Sequence, residues 1–517
     1  MNNRLHILFL SIKIVLGLVL VLLLLGRSAP VQADFVNSMA GMNGSIDPYS
    51  EQGTDYQYIS AEGILTYYDR NDALVFGRNT TVYLFDEDNN SDDDLLATTI
   101  ANEYGYFRFD WIPNYDLDEY YFPSDPRLDL YAVYYSQDLE IQQMVTNFNV
   151  EPYSWQSETV YDVSDNSTAD LSMTIPFFEE TESAMWIYED LLRAYEYMFN
   201  NGIDPGGVTA FWEYSQEVHL PCLGSCFYGD PNYWYVFIAH RHTYSSDYVV
   251  HEVAHNYLWN QTGYWLYWDA GCFHHEVFTE EDEVCAWYEG WADFIPLIVN
   301  GDTCYDSDNI ICSGYDIEDH GYYDSSEYDR GDRVEGRVAG MLYDLFDNEN
   351  EDFDSTTFGL IPITEVVFQE PLEQTSLYYW GNWQDAGHNK HNSVQTFYQN
   401  TIDYDYPPIF NPDLPDRSVL LNHGWSNAID LWEYSADAES DDWELNWQMI
   451  NSSNPGCGVS IDAEDYVNIF PQAGFLGSCD ITIQVSDSLK TTEDTFRVTV
   501  LPIQARVYLP LITFSGN

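Results

Sequence analysis

Hydrophobic positions along the chain recur with two periods, and the switch between them divides it. From Glu62 to about Met173 the period is two. Thr81-Val82-Tyr83-Leu84-Phe85, Tyr106-Phe107-Arg108-Phe109-Asp110-Trp111 and Arg127-Leu128-Asp129-Leu130-Tyr131-Ala132 alternate as half-buried strands do. Near Thr174 the period lengthens: Ala184, Ile187, Leu191, Ala194 and Met198 recur in steps of three and four, which predicts an amphipathic helix ending near Gly202. Apolar strand candidates at 208–212 and 235–239 come next. The second leads through Ser245 and Ser246, suitable N-caps, into a helix with Val250, Ala254 and Leu258 on its core-facing stripe. Another helix is predicted over 332–346, where Val334, Val338, Met341, Leu342 and Leu345 share a side. After Pro407-Pro408 alternation returns in Leu445, Trp447 and Met449, in Ile481, Ile483 and Val485, and in Phe496, Val498 and Val500.

These shifts predict a multidomain chain, with an α+β domain at 174–406 flanked by all-β sandwich domains at 61–173 and 407–502. Residues 34–60 are turn-rich and lack periodicity, which marks a linker, and 503–517 form a short tail. Residues 1–33 read as a signal peptide: Arg4 and His6 precede an apolar run to Leu25, and Val31 and Ala33 suit a signal-peptidase site. Cleavage leaves an exported protein, secreted or at the cell surface, with no stable membrane span. The alternative is an uncleaved anchor, since the run back to Ile7 approaches the ~20 residues a bilayer needs. In an oxidising compartment the eight cysteines are expected to pair as neighbours: Cys222 with Cys226, Cys272 with Cys285, Cys304 with Cys312 and Cys457 with Cys479.

Charge narrows the partners. A formal net charge of -69 repels phosphate backbones, which excludes nucleic acid as a partner and disfavours anionic membranes. Acidic chains are often disordered, but 45% hydrophobic and 17% aromatic content is ample for folded cores. Asp86, Asp88 and Asn90 are spaced like the start of a calcium loop, which makes Ca2+ a second cation to consider. The EF-hand pattern then requires Gly and Glu where this chain has Ser91 and Ala97, so a solvated acidic loop is the expected state.

The chemistry lies between Tyr248 and Asp293. His251-Glu252-Val253-Ala254-His255 falls on a predicted helix, where residues four apart share a face; two imidazoles can serve one zinc ion while Glu252 reaches a water beside it. A catalytic zinc needs a third protein ligand. The metzincin continuation is excluded, because Leu258 and Gln261 stand where it requires Gly and His. Glu289 and Asp293 are also four apart, so one carboxylate can bind the metal while the other orients an imidazole. With H-E-x-x-H on one helix and E-x-x-x-D on a later one, the chain resembles the gluzincins, the thermolysin-like zinc metallopeptidases. The resemblance implies a zincin-like domain with Zn2+ held by His251, His255 and Glu289, Glu252 as general base, and Asp293 bonded to a ligand. The family takes its oxyanion donor from a downstream His or Tyr. His320, Tyr322, Tyr343, His388 and His391 are available, and His388 is preferred.

Two further features bear on the site. Pro296 is expected to kink or stop the second helix near Phe294. His274, His275 and Glu276 compete as ligands, but their expected state is a surface loop tied back by a Cys272–Cys285 bridge. The flanking regions resemble transthyretin-like or carboxypeptidase-regulatory-like modules before the site and cadherin-like or immunoglobulin-like repeats after it. The expected function is therefore a secreted zinc metallopeptidase acting on protein or peptide substrates. The rivals are an extracellular adhesion or binding protein with an inactive zincin-like scaffold, and a zinc hydrolase of non-peptide bonds. The pattern sets no oligomeric state.

Overall fold

The computed structural model describes residues 57–503, apart from 89–91, 116–126, 178, 219–223, 231–232, 264–271, 273–274, 307–311, 313, 319–327, 350–352 and 370–373. The expected signal peptide, nearly all of the linker and the tail lie outside the described residues, as do Asn90, Ser91, Cys222, His274, His320 and Tyr322.

Alternating side chains build the first part. The strand Tyr58–Tyr68 pairs antiparallel with Tyr106–Pro113 and Leu74–Phe76, and parallel with Thr168–Asp170 and Met173–Thr174. A second sheet runs in the order Asp94–Ile100, Thr81–Asp86, Leu130–Tyr135, Ser154–Gln156. The two sheets meet through their inward rings: Phe107 and Tyr134 sit edge to face at 5.7 Å, and the Tyr134 hydroxyl donates to the Leu171 carbonyl at 2.8 Å.

A central five-stranded sheet follows the order Cys226–Asp230, Tyr233–Phe237, Val208–Phe211, Gln143–Thr146, Gln137–Asp138. Gln143–Thr146 runs parallel to Val208–Phe211, so this sheet crosses the boundary expected at 173/174. One hydrophobic core, from Ile59 to Ile402, extends beneath both regions. The short strand gives no alternating signal because Gln143 and Thr146 are themselves fully buried.

Seven α-helices occur among the described residues: α1 (Ser183–Asn200), α2 (Ser246–Thr262), α3 (Glu283–Asn300), α4 (Glu335–Phe346), α5 (Leu360–Val367), α6 (Ser376–Asp385) and α7 (Lys390–Gln399). The pattern predicted α1, α2 and α4 closely, and it missed α5 to α7. Pro296 does not end α3, which continues to Asn300. A mid-helix proline forfeits a hydrogen bond and costs ~3 kcal/mol. Phe294, Ile295, Leu297 and Ile298 on both sides of it are buried, which offsets that loss.

The C-terminal region has its own core. A four-stranded sheet, Arg417–Leu420, Thr491–Leu501, Gly477–Ser486 and Asn446–Ser452, packs with a three-stranded one, Trp425–Asp430, Tyr466–Ile469 and Val459–Ile461. The bridge Cys457–Cys479 forms as expected, as do Cys272–Cys285 and Cys304–Cys312. Cys226 is also disulfide-bonded. No helix among the described residues is long and apolar enough to cross a membrane.

Candidate metal centre

Helix α2 begins where Ser245 Oγ accepts from the Tyr248 amide at 3.2 Å, and it ends at Gly263, whose φ of 67° is the left-handed region that favours glycine. These caps fix the length of the segment that carries His251, Glu252 and His255. Helix α3 is capped by Asp282, whose side chain accepts from the Val284 amide at 3.0 Å, and it presents Glu289 and Asp293 to α2. Between α3 and α4 the approach is close at Gly290, where a Cβ would lie 2.5 Å from Val338 Cβ and 2.7 Å from the Glu335 carbonyl oxygen.

The packing brings four of the expected residues into one buried cluster. Nε2 of His251 lies 3.2 Å from Glu289 Oε2, and Nε2 of His255 lies 3.1 Å from the same oxygen. The two imidazole rings are nearly perpendicular at 4.8 Å. On its other side, His251 Nδ1 donates to Asp293 Oδ1 at 2.9 Å, and the Tyr305 hydroxyl lies 3.2 Å from that nitrogen. With the proton on Nδ1, Nε2 carries the lone pair a metal requires. Glu252 is buried beside them, and the main chain of Phe227, on the edge strand of the central sheet, hydrogen-bonds to it.

Charge in this cluster follows from burial opposed by close partners. Burial disfavours charge on His251, yet Asp293 and Glu289 hold its pKa well above the usual histidine value. Burial lowers that of His255 despite Glu289. Burial also works against ionisation of Glu289, but the His275, His255 and His251 rings keep its carboxyl well below the ordinary range. Glu252 is pushed up to about 7, by burial first. One donor atom from each of His251, His255 and Glu289 lies within 4.8 Å of the others. Two imidazole nitrogens and a carboxylate oxygen facing one point are the donor chemistry that suits zinc.

Sequence reasoning missed two side chains here, Glu335 and Tyr305, and named a third, His275, only as a competing ligand in a surface loop. His275 does lie in a loop tied back by Cys272–Cys285, but its ring turns inward: its Nδ1 is 2.7 Å from Glu335 Oε2 on α4, and its Nε2 is 3.9 Å from Glu289 Oε2. Glu289 first, and then Glu335, raise its pKa to about 10 against the effect of burial. Tyr305 was not singled out, and Glu335 was hidden at the head of an apolar helix. His388 is placed elsewhere, between α6 and α7, with its ring 4.1 Å from Trp383 and 5.9 Å from Phe358. His391 bonds Ser440 at 2.8 Å. Among the described residues neither has a contact with His251, His255 or Glu289.

Two helices thus aim two histidines and a glutamate at one point, the donor set of a candidate metal site. Residues 206–401 match the model of the Mycolysin C-terminal domain. That span contains the whole cluster, and the match supports a thermolysin-like peptidase, a hydrolase of peptide bonds. No curated protein matches the chain. Among solved structures, an endo-fucoidan hydrolase of glycoside hydrolase family 107 is 15% identical at TM-score 0.17, with 21% of this chain and 17% of that one covered. A 9R-lipoxygenase from Cyanothece is 16% identical at TM-score 0.19, with 40% and 32% covered. The chain thus spans a minor part of either protein, and scores this low carry no argument.

Proposed function

We propose that the chain is a secreted zinc-dependent metallopeptidase in which His251, His255 and Glu289 hold the metal. The observation that carries this reading is the convergence of His251 Nε2 and His255 Nε2 on Glu289 Oε2, at 3.2 and 3.1 Å, inside the span that matches the Mycolysin C-terminal domain. When bound, zinc supplies an acidified water and polarises the substrate carbonyl. The rest is the work of the chain. Glu252, with its carboxyl pushed up to about 7 by burial, takes the proton from the water as its oxygen attacks the peptide carbon. It then passes that proton to the departing amine. Asp293 keeps His251 in the tautomer and orientation that point Nε2 inward.

The match to the Mycolysin C-terminal domain over the span that holds Glu252 and the two imidazoles does not favour an inactive scaffold. The test is Glu252→Gln in the full chain, assayed on casein-like proteins and on small amides and esters. Peptide hydrolysis should fall by at least ~10²-fold while zinc content stays as in the wild type. Wild-type protein that carries zinc but cleaves only esters or other non-peptide bonds would overturn the peptidase reading.

A further inference from the structure

His275 meets the cluster from a side that neither α2 nor α3 occupies. Its Nε2 reaches to 3.9 Å from Glu289 Oε2, the oxygen that both other imidazoles approach. It nevertheless stands outside the close group of His251, His255 and Glu289. Its side chain is 30% exposed, against 9% for His251, 3% for His255 and 9% for Glu289. His275 is therefore more accessible to solvent than the three close members of this constellation.

The ring is held in that position. Its Nδ1 is engaged at 2.7 Å by Glu335, which is 2% exposed. The segment that bears it is laced to the start of α4: the Gly336 amide donates to the Val277 carbonyl at 2.7 Å, and the Glu281 amide to the Arg333 carbonyl at 2.8 Å. Gly336 permits this contact, since a Cβ there would lie 2.6 Å from the Val277 carbonyl oxygen. A polar side chain with one nitrogen tied to a buried carboxylate and the other 3.9 Å from the oxygen at the centre of the cluster is preorganised to meet a charge that develops during reaction.

Resting on the peptidase reading above, we propose that His275 is a catalytic residue which donates from Nε2 to the carbonyl oxygen of the scissile peptide, with Glu335 as its positioning residue. In the step, the water oxygen bonds to the carbonyl carbon and the π pair moves onto the carbonyl oxygen. His275 stabilises that oxyanion without changing its own bonds. The water proton goes to Glu252 and leaves with the amine when the C–N bond breaks.

The experiment measures kcat, KM and zinc content for zinc-loaded full-length protein on a peptide substrate, in wild type, His275→Ala, His275→Gln and Glu335→Gln. His275→Ala should lower kcat by ~10²–10³-fold, the usual loss of one oxyanion donor, with little change in KM and with zinc retained. His275→Gln, which keeps an N–H, should recover part of the loss. Glu335→Gln, which loosens the ring without removing it, should fall between His275→Ala and wild type. Wild-type kcat in His275→Ala overturns the proposal, and so does loss of zinc from that variant, which would make His275 a ligand instead. A wild type that cleaves no peptide overturns the peptidase reading as well, so the two failures are distinguishable.

Discussion

At His251 both ring nitrogens are committed, one to Asp293 at 2.9 Å and the other toward Glu289 at 3.2 Å. Asp293→Ala removes the first bond and frees the ring to turn. Zinc affinity should drop ~10–100-fold, the usual effect of losing a carboxylate behind a ligating histidine. Competition with a chelator of known affinity measures this, and unchanged affinity would contradict the role given to Asp293. These residues were legible in the sequence because each pair lies on one helix, where a spacing of four fixes a common face. Glu335 and Tyr305 were not, nor was the place of His275, because their partners are distant in the chain. The 2.7 Å contact between His275 and Glu335 joins residues 60 positions apart, and no local pattern encodes it.

The elements must hold these residues at bonding distance, and α3 approaches α4 closely at Gly290. Gly290→Ala would drive a Cβ to 2.5 Å from Val338 Cβ and 2.7 Å from a carbonyl oxygen. Overpacking of this kind destabilises by ~1–3 kcal/mol. Urea unfolding should show a lowered midpoint, and an unchanged midpoint would mean that the two helices are not in such contact. Helices with strong apolar periodicity, α1 and α4, could be read from the sequence. Helix α7, which reads Lys-His-Asn-Ser at its start, could not, since polar residues dominate it and tertiary packing on Val394 and Phe397 decides its state. Pro296 does not stop α3 for a related reason: burial on both sides outweighs a local breaker.

Across the whole molecule, acidity should govern how stability responds to pH. Asp247, Asp354 and Asp405 are each pushed up to about 7, by burial first. Their unfolded values lie near ~4, so between about pH 4 and 7 the folded chain binds more protons than the unfolded one, and stability falls as pH rises through that window. Chelator-treated protein should therefore melt at a higher temperature near pH 5.5 than near pH 8. Added salt should narrow the difference by screening a formal charge of -69. A melting temperature that rises with pH would contradict this. Composition made the charge plain, but which carboxyls are buried was not legible, because burial is set by the assembled fold. The same holds for the 173/174 boundary, which the strand Gln143–Thr146 bridges without any alternating signal. The central claim is that His251, His255 and Glu289 form a zinc site, and the most direct measurement is the zinc content of purified full-length wild type beside Glu289→Ala. The account predicts close to one zinc per wild-type chain and a large loss in the variant; a wild type without zinc, or a variant that binds it equally well, would contradict it.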